Sequence, residues 1–229
     1  MIVLERHRHL ARHILHLLRS GQYREFARKF RERFYDETVL VGMRLDLLTF
    51  QREQALPDQL TVRPVRSGEI PTILDLGEPG LSSEEIHDRV IRQQMLRAGI
   101  ETCYVAEDEG RTPCFIQWVI GADQNDILKR RFRGWYPRLA PDEVLIEYAY
   151  TLPARRRARI MPAVTSYLLE RAKREGARSA VAYVPYWNRR SLKIHLRLGF
   201  GPYLLFKEKR RFLVRSRRHT PISEIPEGI

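Results

Sequence analysis

The segment Tyr150-Thr151-Leu152-Pro153-Ala154-Arg155-Arg156-Arg157-Ala158-Arg159-Ile160-Met161 carries four arginines where an apolar, strand-like run gives way to a helix-like one. Such a junction suits an anionic phosphate. Loop N–H groups point outward there, and the helix N-terminus contributes about half a positive charge. The plainer alternative is a solvated run of arginines. A second candidate is Glu147, whose neighbours Leu145, Ile146 and Tyr148 are apolar. A carboxylate mid-strand is either a base able to take a proton from an attacking ammonium or half of a structural pair with Arg131 or Arg133. His9, His13 and His16 share a helical face, but no cysteine or carboxylate cluster joins them, so they read as exposed polar residues and no metal site is expected.

Apolar spacing gives the elements that must hold these residues. Residues 144–150 read as a strand, 160–175 as a helix, 179–184 as a strand, 188–198 as a helix and 203–214 as strand material. Strict alternation would put Leu145, Glu147 and Ala149 on one face and Ile146, Tyr148 and Tyr150 on the other. Upstream, 61–65 is a strand, and a helical stretch with Ser67 as N-cap follows. Ser82-Ser83-Glu84-Glu85 opens a helix running to about residue 98. Strands at 103–106 and 114–120 flank the turn-prone residues 107–110 as a hairpin, and 121–139 is polar and irregular, with Trp135 and Tyr136 in it. Before all this come two helices within 1–35, broken at Ser20-Gly21, then a strand-like run at 38–45 and a linker at 51–59. The expected division is a helical extension with a short strand over 1–58 and an α/β unit over 59–229.

The chain of 229 residues is long enough to bury a sizeable core, and its net charge is +13. That charge implies an anionic partner or surface, and its dispersal along the chain argues against a dedicated nucleic-acid arm. No apolar run reaches the ~20 residues that span a bilayer, and the first residues lack a secretory pattern, so a cytoplasmic protein is expected. The basic N-terminal helices either cover their own domain or lie on a membrane. Cys103 and Cys114 read as reduced core thiols facing each other across the hairpin.

Over residues 60–214, the order strand, Pro153-x-x-Arg156 loop, helix, strand, Asn188-x-x-Ser191 helix, Gly199-Phe200, strand resembles the GNAT superfamily of CoA-dependent N-acyltransferases. The resemblance implies an α/β fold with a mixed, mostly antiparallel twisted sheet, flanking helices and a splayed central strand pair, here residues 144–150 and 179–184. It implies acetyl-CoA or acyl-CoA as donor, with pantetheine entering the gap beside Tyr150 and Leu152. The pyrophosphate would rest on Arg156, Arg157, Ala158, Arg159, Ile160 and Met161. Asn188 would stand near pantetheine and the thioester, with Ser191 one turn along; Asn188 equally suits a helix N-cap. His195 occupies the position, seven residues after that asparagine, where the family often has a tyrosine protonating the leaving thiolate. Histidine titrates near neutrality and suits that role, or else it packs against the sheet. Tyr183 and Tyr186 are nearby alternatives. Glu147 matches the base of some relatives. Arg159 and Met161 depart from the family pattern, which has small residues there. The segments 76–98 and 121–140 are those the pattern leaves free to form an acceptor pocket.

The resemblance therefore implies transfer of an acetyl or longer acyl group from a CoA or acyl carrier protein thioester to an amine on a small molecule, lipid intermediate or peptide. Two rival readings keep the fold: a binding module for RNA or another anionic partner, and a transferase using aminoacyl-tRNA. A stable nucleic-acid complex is not the favoured one.

Overall fold

The computed structural model describes residues 35–52, 54–66, 68–132, 134–156, 159–211 and 214–227. The two helices expected within 1–35, the expected N-cap Ser67, Arg133, and Arg157 and Ala158 of the expected phosphate loop fall on residues outside these, apart from residue 35. Among the described residues, thirteen strands and α-helices follow in chain order. They are β1 (Tyr35–Asp46), β2 (Thr61–Pro64), α1 (Glu69–Ile73), α2 (Ser83–Arg97), β3 (Cys103–Glu107), β4 (Pro113–Ile120) and α3 (Asn125–Phe132). Then come β5 (Glu143–Thr151), α4 (Ile160–Arg174), β6 (Ser179–Pro185), α5 (Arg189–Arg197), β7 (Gly201–Arg211) and β8 (Val214–Pro221).

The strands form one sheet in the order β2-β3-β4-β5-β6-β1-β7-β8. Every pair is antiparallel except β5 with β6. That parallel pair holds for only three residue pairs, ending at Leu145↔Val181, and then diverges. The expected mixed, mostly antiparallel sheet with flanking helices and a splayed central pair is present. The strand that precedes the 51–59 linker is integral to it: β1 sits between β6 and β7, with ladders to both.

Sheet alternation divides the core into two layers. One face carries Ile116, Trp118, Leu145, Tyr150, Val181, Tyr183 and Phe206, covered by Ile70, Ile73 and Leu74 around α1, Met95 of α2 and Leu128 of α3. The other carries Val41, Met43, Ala180 and Ala182, covered by Leu169 of α4 and Leu192 of α5. In α4 the inner stripe Ile160, Val164, Leu168, Ala172 repeats every four residues, as one helix face requires.

Several expectations are corrected. Residues 125–132 are helical: Leu128 buries itself and Asn125 caps the following loop, although so few apolar positions give little periodic signal. The last strand region is a hairpin, β7 with β8, whose second strand is too basic to read as one. Cys103 and Cys114 are both buried and free, but they do not face each other. Cys103 lies opposite Trp118, and Cys114 packs on the other face with Phe115. The alternation along β5 fails at Tyr148, whose φ of 56° makes a bulge. Tyr148 and Tyr150 consequently join the face of Leu145, while Ala149 turns to the other.

Candidate active site

The site lies where β5 and β6 part. β4 and β5 pair at Trp118↔Glu147 and again at Ile116↔Tyr150, so Tyr148 and Ala149 lack ladder partners on β4. Their carbonyls are taken instead by Arg92 of α2, through Nε to Tyr148 O at 3.2 Å and Nη2 to Ala149 O at 2.9 Å. The bulge leaves the Glu147 carboxylate beside β6, where Oε1 accepts the backbone N–H of Tyr183 at 2.9 Å. That N–H is two residues beyond the last β5–β6 pair.

Tyrosines surround this carboxylate. The Tyr136 hydroxyl donates to that of Tyr148 at 3.2 Å, and the Tyr136 ring stands edge-on to Tyr183 at 5.4 Å. The Tyr183 and Tyr203 hydroxyls are hydrogen-bonded to each other. Gly42 of β1 makes room for this pair: a Cβ there would come within 3.1 Å of both rings. Tyr136 is held over the site because Asn125 pins Leu139, donating to its carbonyl at 3.0 Å and accepting its N–H at 2.9 Å. Burial drives the titrations. It raises Glu147 to about 8, against two backbone N–H bonds and the Arg92 charge that pull it down. The residue keeps partial exposure. Burial also pushes Tyr148 up to about 12 and Tyr136 and Tyr183 well above their ordinary values, so these phenols stay protonated donors.

Helix α2 carries the polar support. Ser82 and Glu85 form a capping box at its start. Arg89 is fully buried; it donates from Nε to the Tyr150 hydroxyl at 3.2 Å, bonds the Asp75 carbonyl and pairs with Glu78. Gln93 donates to Leu74 O at 3.0 Å, so both side chains satisfy carbonyls released at the end of α1. Arg89, Arg92 and Arg156 all stand by the Tyr150 ring, at 6.0, 4.6 and 5.7 Å. Sequence reasoning named the segments 76–98 and 121–140, with Tyr136 in the second, as free to form a pocket, but did not single out Arg89, Arg92, Tyr148 or Tyr203 as site residues. Arginines on a helix read as solvated, and the tyrosines converge only through the bulge and the glycine. Of the three buried residues of α2, Arg89, Gln93 and Met95, two are polar.

On the donor side, Tyr150 is buried at the end of β5 and Leu152 half-buried after it. Arg155 bonds Asp108 in the β3–β4 turn. Arg156 pairs with Glu85 at 2.8 Å and donates to Thr151 O at 3.4 Å, which ties the loop to α2. Arg159 is the N-cap of α4, with φ of 51° and no side-chain cap on the helix. The first-turn N–H groups of α4, at the buried Ile160 and half-buried Met161, are therefore left without a side-chain acceptor at the cap. The left-handed φ is a conformation that suits glycine, which fits the small residue the family has at this point.

Asn188 caps α5, its Oδ1 accepting Ser191 N–H at 3.0 Å. Its N-cap role is thus occupied. His195 is 5% exposed, with Nδ1 2.9 Å from Ser191 O and its ring edge-on to Phe200 at 5.3 Å. Burial lowers its pKa. Phe200 belongs to the layer opposite the Glu147 tyrosines, so His195 and Glu147 are not brought together. Gly199, with φ of 90°, closes α5 and lets Phe200 N–H reach His195 O at 3.0 Å. Among the described residues no group of His, Cys, Asp and Glu is arranged to hold a metal ion, and no helix is long and apolar enough to cross a membrane.

The fold is shared with solved structures. One is a GCN5-related glucosamine N-acetyltransferase region of a fungal multi-domain GH3 β-N-acetylglucosaminidase, at 11% identity and TM-score 0.55, covering 87% of this chain and 23% of that one. Another is a tandem GNAT protein from the clavulanic acid biosynthesis pathway, at 13% identity and TM-score 0.50, covering 81% of this chain and 57% of that one. This chain thus spans less than two thirds of either structure, and the likeness is one of fold. A search of curated protein sequences finds no match. The model of the acetyltransferase (GNAT) family matches residues 71–200, more than half of the chain, from within α1 to Phe200, and the chain belongs to that family.

Proposed function

We propose that this protein is an N-acyltransferase that moves an acetyl or longer acyl group from a CoA thioester to a primary amine by direct attack, with Glu147 as the base. The observation that carries the reading is the Glu147 carboxylate, held on the Tyr183 N–H at the end of the splayed pair, where burial raises its pKa. A base titrating there accepts a proton from an ammonium near neutral pH far better than an ordinary carboxylate does.

The residues present fit an acyl-CoA. The gap beyond Leu145↔Val181 leaves strand edges open to an extended pantetheine, and the side-chain-free N-terminus of α4 suits a pyrophosphate. Arg156 and Arg159, Ile160 and Met161 would hold the phosphates; Tyr150, Leu152, Asn188 and Ser191 would line the arm. The donor supplies an activated acyl carbonyl. Glu147 removes the amine proton, and the amine nitrogen forms the new bond as the C–S bond breaks. A protonated phenol is the group this site offers to the departing thiolate: Tyr148, on the strand that leaves the parallel pair and accepting from Tyr136, would donate without first having to be charged. His195, packed among Leu192, Leu198 and Phe200, is the less suited acid. The side of the carboxylate where Tyr136, Tyr148 and Tyr183 cluster would receive the acceptor. An acyl carrier protein is the other donor that the net charge of +13 favours.

The test is calorimetric titration with acetyl-CoA, a medium-chain acyl-CoA and free CoA, followed by thiol release in the presence of a panel of primary amines. Binding that weakens in Arg156→Ala, and thiol release that disappears in Glu147→Gln, support the reading. Absence of binding at millimolar CoA thioester overturns the CoA donor and leaves the acyl carrier protein to be tried.

A further inference from the structure

We propose that Arg92 is a positioning residue for acyl transfer, clamping the β5 bulge in the left-handed turn that presents Glu147 to the gap beside β6. The proposal rests on Glu147 being the base. Tyr148 holds φ of 56°, a conformation unfavourable for any residue with a branched or bulky side chain unless its surroundings enforce it. The bulge strips Tyr148 and Ala149 of partners on β4, and β6 has already diverged at Leu145. Two adjacent carbonyls thus need donors from outside the sheet.

Arg92 supplies both from one planar group, Nε to Tyr148 O and Nη2 to Ala149 O. Its own place is fixed from the other side: Nη1 donates to Asp88 O at 2.7 Å, Asp88 Oδ1 lies 3.6 Å away, and the guanidinium stacks 4.6 Å from the Tyr150 ring. A lysine carries the charge but is a point donor and cannot span the two carbonyls in a fixed fork. The groups that face the Glu147 carboxyl are Arg92 from α2, Tyr136 from the loop after α3, Tyr148 from β5 and Tyr183 from β6. Among the described residues Arg92 is the one cation of this set, so it sets both the position of the base and the ease of its ionisation.

The titration needs no acceptor. Protein labelled with carboxyl-13C glutamate is titrated by NMR from about pH 5 to about pH 10. The Glu147 resonance is identified by its loss in Glu147→Gln. Replacing Arg92 by the neutral residues Met or Gln is expected to raise the Glu147 midpoint by about one pH unit. In Arg92→Lys the midpoint should move less, while thiol release in the assay above still falls about tenfold because the fork is lost. An arginine that merely stabilised the fold would lower the melting temperature and leave the midpoint in place. A wild-type midpoint in folded Arg92→Met or Arg92→Gln overturns the proposal. Should both neutral variants fail to fold, a wild-type rate and midpoint in Arg92→Lys overturn it. If Glu147→Gln transfers at the wild-type rate, it is the assignment of the base that falls, a result separate from the titration.

Discussion

Glu147 accepts from Tyr183 the backbone N–H that a continuing β5–β6 ladder would have used, at 2.9 Å. A side chain has replaced a strand partner at the point where the parallel pair opens. The carboxylate is held in the gap by the bulge behind it and by this N–H ahead of it. Its raised pKa follows from that enclosure, since water is largely replaced by Trp118 and the tyrosines.

A pH profile follows for the proposed reaction. A base must be ionised to act, and Glu147 ionises near pH 8. The rate of acyl transfer should rise with pH and level off above about 8, with a single ionisation on the acid limb. Glu147→Gln should lower kcat by ~10²-fold or more and abolish that limb. Initial rates across the pH range for both proteins check this; a wild-type limb near pH 5 would show that some other group governs the rate.

The same carboxyl makes stability depend on pH in an unusual direction. Its folded pKa of about 8 lies above the ordinary 4.5, so between those values the folded chain keeps a proton that the unfolded chain has lost. Stability from this group is complete below about pH 4.5 and falls as pH rises toward 8. Glu147→Gln removes the titration while its amide oxygen can still accept from Tyr183. The variant should therefore be the more stable protein at pH 8, by ~2 kcal/mol after allowance for partial exposure, and the difference should vanish near pH 4.5. Denaturant unfolding of both proteins at several pH values measures it.

Much of this was legible in the sequence, for reasons that differ by element. β5, α4, β6 and α5 announce themselves because apolar residues recur through each, and the Pro153, Arg156, Asn188 and Gly199-Phe200 landmarks lie at their ends. Glu147 stood out as a charge in an apolar strand. The tyrosine wall was not legible. Strict alternation assigned Tyr148 to the opposite face, and only a left-handed residue could bring it round. Nor was Arg89, since a buried arginine looks like any other on a helix with Glu84, Glu85 and Asp88 beside it. Its burial depends on two long-range partners, Tyr150 and the Asp75 carbonyl. The helix at Asn125–Phe132 escaped because only Leu128 is deeply buried among its apolar residues.

The Arg159 position gives a prediction in which stability and donor affinity separate. Its left-handed φ costs an L-residue roughly 1–2 kcal/mol, whereas glycine adopts it freely at an entropic cost of roughly 0.5–1 kcal/mol. Arg159→Gly should thus stabilise the fold by about 0.5 kcal/mol. In the proposed donor site the anion is held chiefly by the α4 N–H groups, and an exposed guanidinium adds little at physiological salt. The Kd for acetyl-CoA should change by less than about threefold. Thermal melts and calorimetry report the two quantities; a much larger loss of affinity would make the Arg159 side chain itself the phosphate ligand.

Arg89 is the sharpest stability test of the polar layer under α2. Its side chain has no exposure, yet its partners are a phenol, a carbonyl and the half-exposed Glu78. Arg89→Met keeps much of the volume but strips the Asp75 carbonyl and the Tyr150 hydroxyl of their donor and leaves Glu78 to solvent. Unpaired buried acceptors cost about 1–3 kcal/mol each, and the apolar replacement offsets part of that by sparing the desolvation of a cation. A net loss of ~2–3 kcal/mol is expected, read as a lower denaturation midpoint. Because Arg89 holds Tyr150 and not Glu147, the variant should keep the pH dependence of transfer while losing stability. A shift of the acid limb in Arg89→Met would mean that the two arginines of α2 act on the carboxylate together, and that the bulge is not held by Arg92 alone.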